Sequence, residues 1–171
     1  MSTPLLDRSP VLTRPLGGVI IALDPGPTQT AILQYGGKSL VLAVLLPNPA
    51  VRETLRWVRE EYPDARLAVE MIACYGMPAG RELFETCLWI GRFIEAWGGS
   101  YRLVYRLECK LHLCKDSRAK DANLRRALLD RFGEKGTKAD PGQLYGFKSH
   151  LFAALAVALT AAETPGEWRD G

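Results

Sequence analysis

The 171-residue chain has no apolar run long enough to cross a bilayer, no internal repeat and no low-complexity segment. Cysteine is scarce, with four in all: Cys74, Cys87, Cys109 and Cys114. In a chain this size, with no secretory leader in view, they imply no disulfide framework, and a cytoplasmic location is expected. Residues 1–16 hold Ser, Thr, Pro and Arg where a leader would have a long apolar core, so they read as a flexible tail. Cys109, His112 and Cys114 follow a C-x₂-H-x-C spacing but lack the second ligand pair that structural zinc draws on; ordinary buried thiols are the plainer reading. No Gly-rich P-loop is present. The turn Asp24-Pro25-Gly26-Pro27-Thr28 is only faintly like a phosphate loop, and the chain is short for a two-lobed nucleotide-binding ATPase. Charge of one sign is also lacking. A net charge of +3 does not by itself announce a nucleic-acid binder, so the local distribution matters more.

What is present is a hydrophobic content of 47% against 24% charged residues, ordinary for one globular domain with a sizeable core. Residues 17–162 are expected to form that domain, with 163–171 a second tail. Residues 18–24 read as a strand and 28–35 as a second. Gly36-Gly37 signals a hairpin into a third over 38–46. Pro47 and Pro49 break the chain before a helix over 51–61, and 66–70 reads as the fourth strand. A long helix over 80–97 carries Leu83, Cys87, Ile90 and Ile94 on one stripe; Phe84, Leu88 and Trp97 widen it beyond one face. A fifth strand over 101–105, helices over 107–114 and 120–132, a loop to 146 and an Ala-rich helix over 147–162 complete the order. Hairpin-linked strands followed by alternating helices and strands indicate an α/β fold with a mixed sheet.

The chemistry-bearing residues sit at element ends. The apolar run 18–23 closes on Asp24, and a second, 66–69, closes on Glu70. Two strands that each deliver an acid to one edge would place two carboxylates together, and such a pair repels unless a cation or shared proton offsets it. A hard divalent ion such as Mg²⁺ suits oxygen ligands. His150 follows Ser149, a suitable N-cap, in the first turn of the last helix. A helix N-terminus favours neutral imidazole, which can ligate a metal or take a proton from water; a capped surface histidine is the bland alternative. Asp121 projects to the side of Leu124, Leu128 and Phe132, so it is a metal ligand, a group orienting a lysine such as Lys148, or a first-turn acid.

Ile21-Ala22-Leu23-Asp24-Pro25-Gly26, Val69-Glu70 and the Ala-rich helix headed by His150 together resemble the RuvC family of Holliday-junction resolvases, in the RNase H-like superfamily. The resemblance spans roughly 18–162 and is nearest to the small members carried by phages and prophages. It implies an RNase H-like five-stranded mixed sheet, two Mg²⁺ ions per site (Mn²⁺ as substitute), a homodimer, and paired nicks in a four-way DNA junction. Asp24 matches the first-strand ligand, Glu70 the fourth-strand acid, and His150 a position held by Asp or His. Lys110 falls near a basic position of the family. Two departures stand out. Ala153 replaces an acid often found in the last helix, and Asp121 stands where many relatives carry Lys.

Arg118, Lys120, Arg125, Arg126 and Arg131 form a basic run, with Lys110, Lys115, Lys135, Lys138 and Lys148 around it. Lys110, Arg118, Lys120, Arg125 and Lys148 are the candidate DNA contacts, although such runs also mark plain solvated faces. Tyr75, in the loop after Glu70, matches by position an aromatic that the family stacks at the junction centre. Phe84, Leu88, Trp89 and Trp97 offer a dimer surface or simply core. The alternatives to a junction resolvase are an RNase H-like nuclease acting on other branched or hybrid substrates, and a non-catalytic junction-binding module.

Overall fold

The computed structural model describes residues 18–37, 39–74, 76 and 78–171. The expected tail 1–16 and Tyr75 lie outside the described residues. Five strands form one sheet: β1 (Ile20–Pro25), β2 (Gln29–Tyr35), β3 (Leu40–Pro47), β4 (Arg66–Met71) and β5 (Tyr101–Tyr105). Their order is β3-β2-β1-β4-β5. β1 is antiparallel to β2 and parallel to β4, so the sheet is mixed and its central strand is the one that ends in Asp24. The helices are α1 (Asn48–Glu61), α2 (Arg81–Trp97), α3 (Arg106–Cys114), α4 (Asp121–Phe132) and α5 (Ser149–Glu163).

Alternation along the strands divides the core in two. Ile21, Leu23, Leu67 and Val69 face α1 and α2, where Val51, Leu55, Ile90, Phe93 and Trp97 meet them. Ile20, Ala22, Leu33 and Ala68 face the other way, onto Leu155, Leu159, Cys109 and Leu128 of α5, α3 and α4. α5 is nearly all buried, and its alanines 153, 154, 156, 158 and 161 keep its surface low where it crosses β1 and β2. Two residues beyond Ala22 and Ala68 come Asp24 and Glu70. The same alternation therefore turns both carboxylates toward the α5 side.

The turn after β1 is pinned. A Cβ on Gly26 would lie 2.6 Å from the Gln29 carbonyl oxygen, so only glycine fits there. Asn48, fully buried, donates from Nδ2 to the Gly26 carbonyl at 3.0 Å and accepts from Thr30 Oγ1 at 2.7 Å. Pro49 does not break the chain as expected. It occupies the start of α1, where its missing N–H has no helical partner to lose.

Three further expectations change. Ser149 is the first residue of α5, not its cap; Lys148 holds the capping position, without a side-chain bond. Trp97 is core, and Trp89 packs partly buried against Phe93, while Phe84 and Leu88 remain exposed one turn apart. The segment after α5 docks on the domain although it reads as a tail. Arg169 and Tyr101 exchange backbone bonds at 2.8 Å, and the Arg66 guanidinium lies 4.1 Å from the Trp168 ring centre. Buried Arg102 binds the Thr164 carbonyl at 2.9 Å and Glu108 at 2.8 Å.

Candidate active site

β1 and β4 run parallel with Leu23 opposite Val69, so the next residue on each, Asp24 and Glu70, reaches the same level on neighbouring strands. Strands in this relation lie about 4.8 Å apart, which sets two carboxylates side by side. Each is only 15% exposed. Burial pushes the Glu70 carboxyl up to about 8; Arg106 pulls against that shift, and the adjacent Asp24 adds to it. One of the pair therefore holds a proton near neutrality unless a cation lies by it.

The head of α5 brings His150 over β1. Its Nδ1 lies 2.8 Å from Asp24 Oδ2. An ionised carboxylate only accepts, so Nδ1 carries the hydrogen, and in neutral imidazole Nε2 is left with its lone pair. The imidazole is 63% exposed, open to water.

Asp121 lies in the same cavity but is not buried as its helical projection indicated: it opens α4 and its side chain is 72% exposed. Its partner is not Lys148. Arg106 Nη2 donates to Asp121 Oδ1 at 2.9 Å, while Arg106 Nη1 sits 3.4 Å and 3.5 Å from the two Glu70 oxygens. Arg106 is a site residue that the sequence pattern does not mark. It follows β5 directly, and because β5 is parallel to β4 with Glu70 opposite Val104 and Met71 opposite Tyr105, the residue after Tyr105 lies beside Glu70. That register is the signal that points to it.

Asp24, Glu70, His150 and Asp121 thus line one cavity of about 280 Å³, with Arg106, Arg125, Phe152 and Ala153 among its other walls. The donor chemistry, two neighbouring carboxylates with an imidazole bonded to one of them, fits a hard divalent cation. Among the described residues, no three or more His, Cys, Asp or Glu side chains are grouped so as to hold a metal ion. Cys109 and His112 are engaged separately, the thiol with Thr160 and the ring with Glu163 at 2.8 Å.

The basic run divides in two. Arg126 is bound to Asp130 and Glu134, and Arg131 to Glu163. Lys110, Arg118, Lys120, Arg125 and Lys148 have no ion pair among the described residues, and all but half-buried Lys110 are exposed. Arg125 reaches the cavity wall, its guanidinium 5.3 Å from the Phe152 ring centre. No helix among the described residues is long and apolar enough to cross a membrane.

No protein-family model matches the sequence, and no curated protein sequence matches it. Solved structures do. Thermus thermophilus RuvC superposes with a TM-score of 0.68 at 18% identity, over 84% of this chain and 93% of that one. T. thermophilus RuvC in complex with Holliday junction substrate gives 0.66 at 20% identity, over 85% and 93%. The mixed five-stranded sheet with its flanking helices is the RuvC form of the RNase H-like fold, and it is in fold that the chain is similar to RuvC.

Proposed function

We propose that this protein is a divalent-metal-dependent, structure-selective DNA endonuclease of the cytoplasm that resolves four-way junctions by paired nicks. The observation that carries this reading is the Asp24–Glu70 carboxylate pair, level on two parallel strands and capped by His150, in a RuvC-like fold. Mg²⁺, or Mn²⁺ in its place, is the cofactor, and two ions per site is what the resemblance to RuvC implies. Asp24 and Glu70 would hold a divalent ion through their oxygens. When bound, such an ion neutralises charge on a phosphodiester and lowers the pKa of a water.

The side chains supply the rest. Asp24 fixes the His150 ring with Nδ1–H toward itself, which leaves Nε2 of this cavity-lining residue as the proton acceptor. Water oxygen bonds to phosphorus as one P–O bond to sugar breaks; His150 Nε2 takes the water's proton, and the departing oxygen is protonated from solvent. Arg125, on the cavity wall, and the unpaired Lys110, Arg118, Lys120 and Lys148 supply phosphate contacts. Tyr75 is the candidate wedge at the junction centre. The exposed Phe84 and Leu88 on α2 form the apolar part of a two-fold dimer face, which would set two sites on a symmetric substrate.

The test is cleavage of a four-way junction, a flap, a linear duplex and an RNA–DNA hybrid of matched sequence with Mg²⁺. Selective, symmetric nicking of the junction supports the reading. Preference for the flap or hybrid transfers the assignment to another RNase H-like nuclease. Tight junction binding with no cleavage in Mg²⁺ or Mn²⁺ makes it a binding module.

A further inference from the structure

The cavity carries a cation of its own. Arg106 is held by Asp121 at 2.9 Å and faces both oxygens of Glu70 at 3.4 Å and 3.5 Å. We infer that the site takes a single divalent ion, at Asp24 and Glu70, and that the Arg106 guanidinium stands in place of a second one, as a catalytic residue that meets the phosphate charge. The inference rests on the nuclease reading and departs from the ion count that the resemblance implies.

Three observations carry it. First, the ligands for a second ion are not assembled. Ala153, three residues after His150, lines the cavity from α5 with a methyl group and offers no ligand oxygen. Second, Asp121 does not replace that acid. It sits on another helix, is mostly exposed, and its Oδ1 is already bonded to Arg106. Third, the charges balance for one ion only. The cavity is lined by three carboxylates, Asp24, Glu70 and Asp121, and two guanidinium groups, Arg106 and Arg125, leaving one formal negative charge with His150 neutral. One divalent ion and one phosphodiester bring the total to neutrality. A second ion would leave two positive charges uncompensated beside the Arg106 guanidinium, which repels it. A guanidinium is suited to the substitution: it keeps its charge at any working pH and offers a planar fork of donors to phosphate oxygens.

Mn²⁺ stoichiometry tests this without reference to turnover. The full chain is titrated with Mn²⁺ by calorimetry, and by electron paramagnetic resonance with a junction bearing slowly cleaved phosphorothioate linkages, the junction-only titration subtracted. One ion per chain is expected in both. Arg106→Gln removes a neighbouring positive charge and should tighten Mn²⁺ binding about tenfold. Arg106→Lys keeps the charge and should leave the affinity within about twofold. Ala153→Asp should add a second, weaker ion. Two ions bound by the wild-type chain would overturn the inference and leave the nuclease reading standing, as would weaker Mn²⁺ binding in Arg106→Gln. No Mn²⁺ bound under either condition would sink both.

Discussion

The two ends of α5 hold ionisable clusters of similar make-up and opposite character. At its C-terminus Glu163 is saturated: Arg131 engages both of its oxygens, and His112 Nε2 lies 2.8 Å from one of them. Burial works against that carboxylate, but the hydrogen bonds from Arg131 and His112 outweigh it and hold its pKa below the usual value. At the N-terminus Glu70 meets one guanidinium at long range and one carboxylate at short range, and its pKa is driven up to about 8. Both clusters contain an acid, an arginine and a histidine. Only one leaves charge unbalanced in a cavity open to solvent, and unbalanced charge is what catalysis uses. Glu163 is thus part of a brace, and Glu70 part of a candidate reaction centre.

The sharpest way to break that comparison is to remove charge at each end and ask which loss affects chemistry. Asp24→Asn keeps the shape and a polar contact for His150 but loses the anion. Junction cleavage should fall by about 10³-fold, the scale associated with a group acting in the transition state. Binding in a gel-shift assay should persist, because Asp24 adds repulsion, not attraction, to phosphate. A cleavage rate within tenfold of wild type would remove Asp24 from the chemistry and leave Glu70 no more functional than Glu163.

Proton linkage gives the next largest difference. The folded state holds the Glu70 proton up to about pH 8, whereas the unfolded chain releases it near 4.5. Between those values the folded state binds more protons than the unfolded one, so stability should fall as pH rises across the window and level off above it. Thermal melts in EDTA from pH 5 to 8.5 should show Tm declining by several degrees. Millimolar Mg²⁺ at pH 8 should restore it, since binding to the folded state alone stabilises. Glu70→Gln should flatten the EDTA profile. Identical profiles for wild type and variant would show that the carboxylate pair is not where the strain lies.

How much of this contrast was legible in the sequence follows from what each residue depends on. Asp24 and Glu70 end apolar runs, so local pattern marks both as strand-end acids, while their common level comes from the parallel register of β1 and β4. His150 was legible for the same reason, as the head of a buried alanine helix. Arg106 was not. Its place beside Glu70 is fixed by the parallel register of β4 and β5, a pairing between segments more than thirty residues apart that no local pattern encodes. Asp121 projected onto the buried side of its helix, yet it is exposed because it begins α4 and no preceding turn covers it. The stretch around Pro165-Gly166 has the composition of a tail, but it is held by Arg66, Arg102 and Tyr101, all remote in sequence.

The basic residues sharpen the comparison further. Arg125 and Arg131 lie on one helix, six positions apart, but Arg131 is spent on Glu163 and Arg125 is free at the cavity wall. Arg125→Ala should weaken junction binding about five- to tenfold at low salt and reduce the slope of log K against log salt by about one, as loss of one phosphate contact does. Arg131→Ala should change neither. Equal effects from the two would mean that the run acts as a diffuse positive field and that pairing does not select its members.

The smallest effect belongs to the brace itself. Glu163 has its folded pKa lowered from about 4.5, so its contribution is present above that value and is lost as pH falls through the lower, folded one. Its partners are partly exposed, Arg131 at 44% and His112 at 17%, so solvent screening reduces the gain to about 1 kcal/mol. Glu163→Gln should cost that amount in urea melts at pH 7 and progressively less as acid neutralises the wild-type carboxylate, at a pH below its usual value. Junction cleavage measured well below the melting temperature should be unchanged. A Glu163→Gln protein that folds normally but cleaves more slowly would show that α5 transmits the state of its C-terminal end to His150 at its head. The two clusters would then be one coupled system.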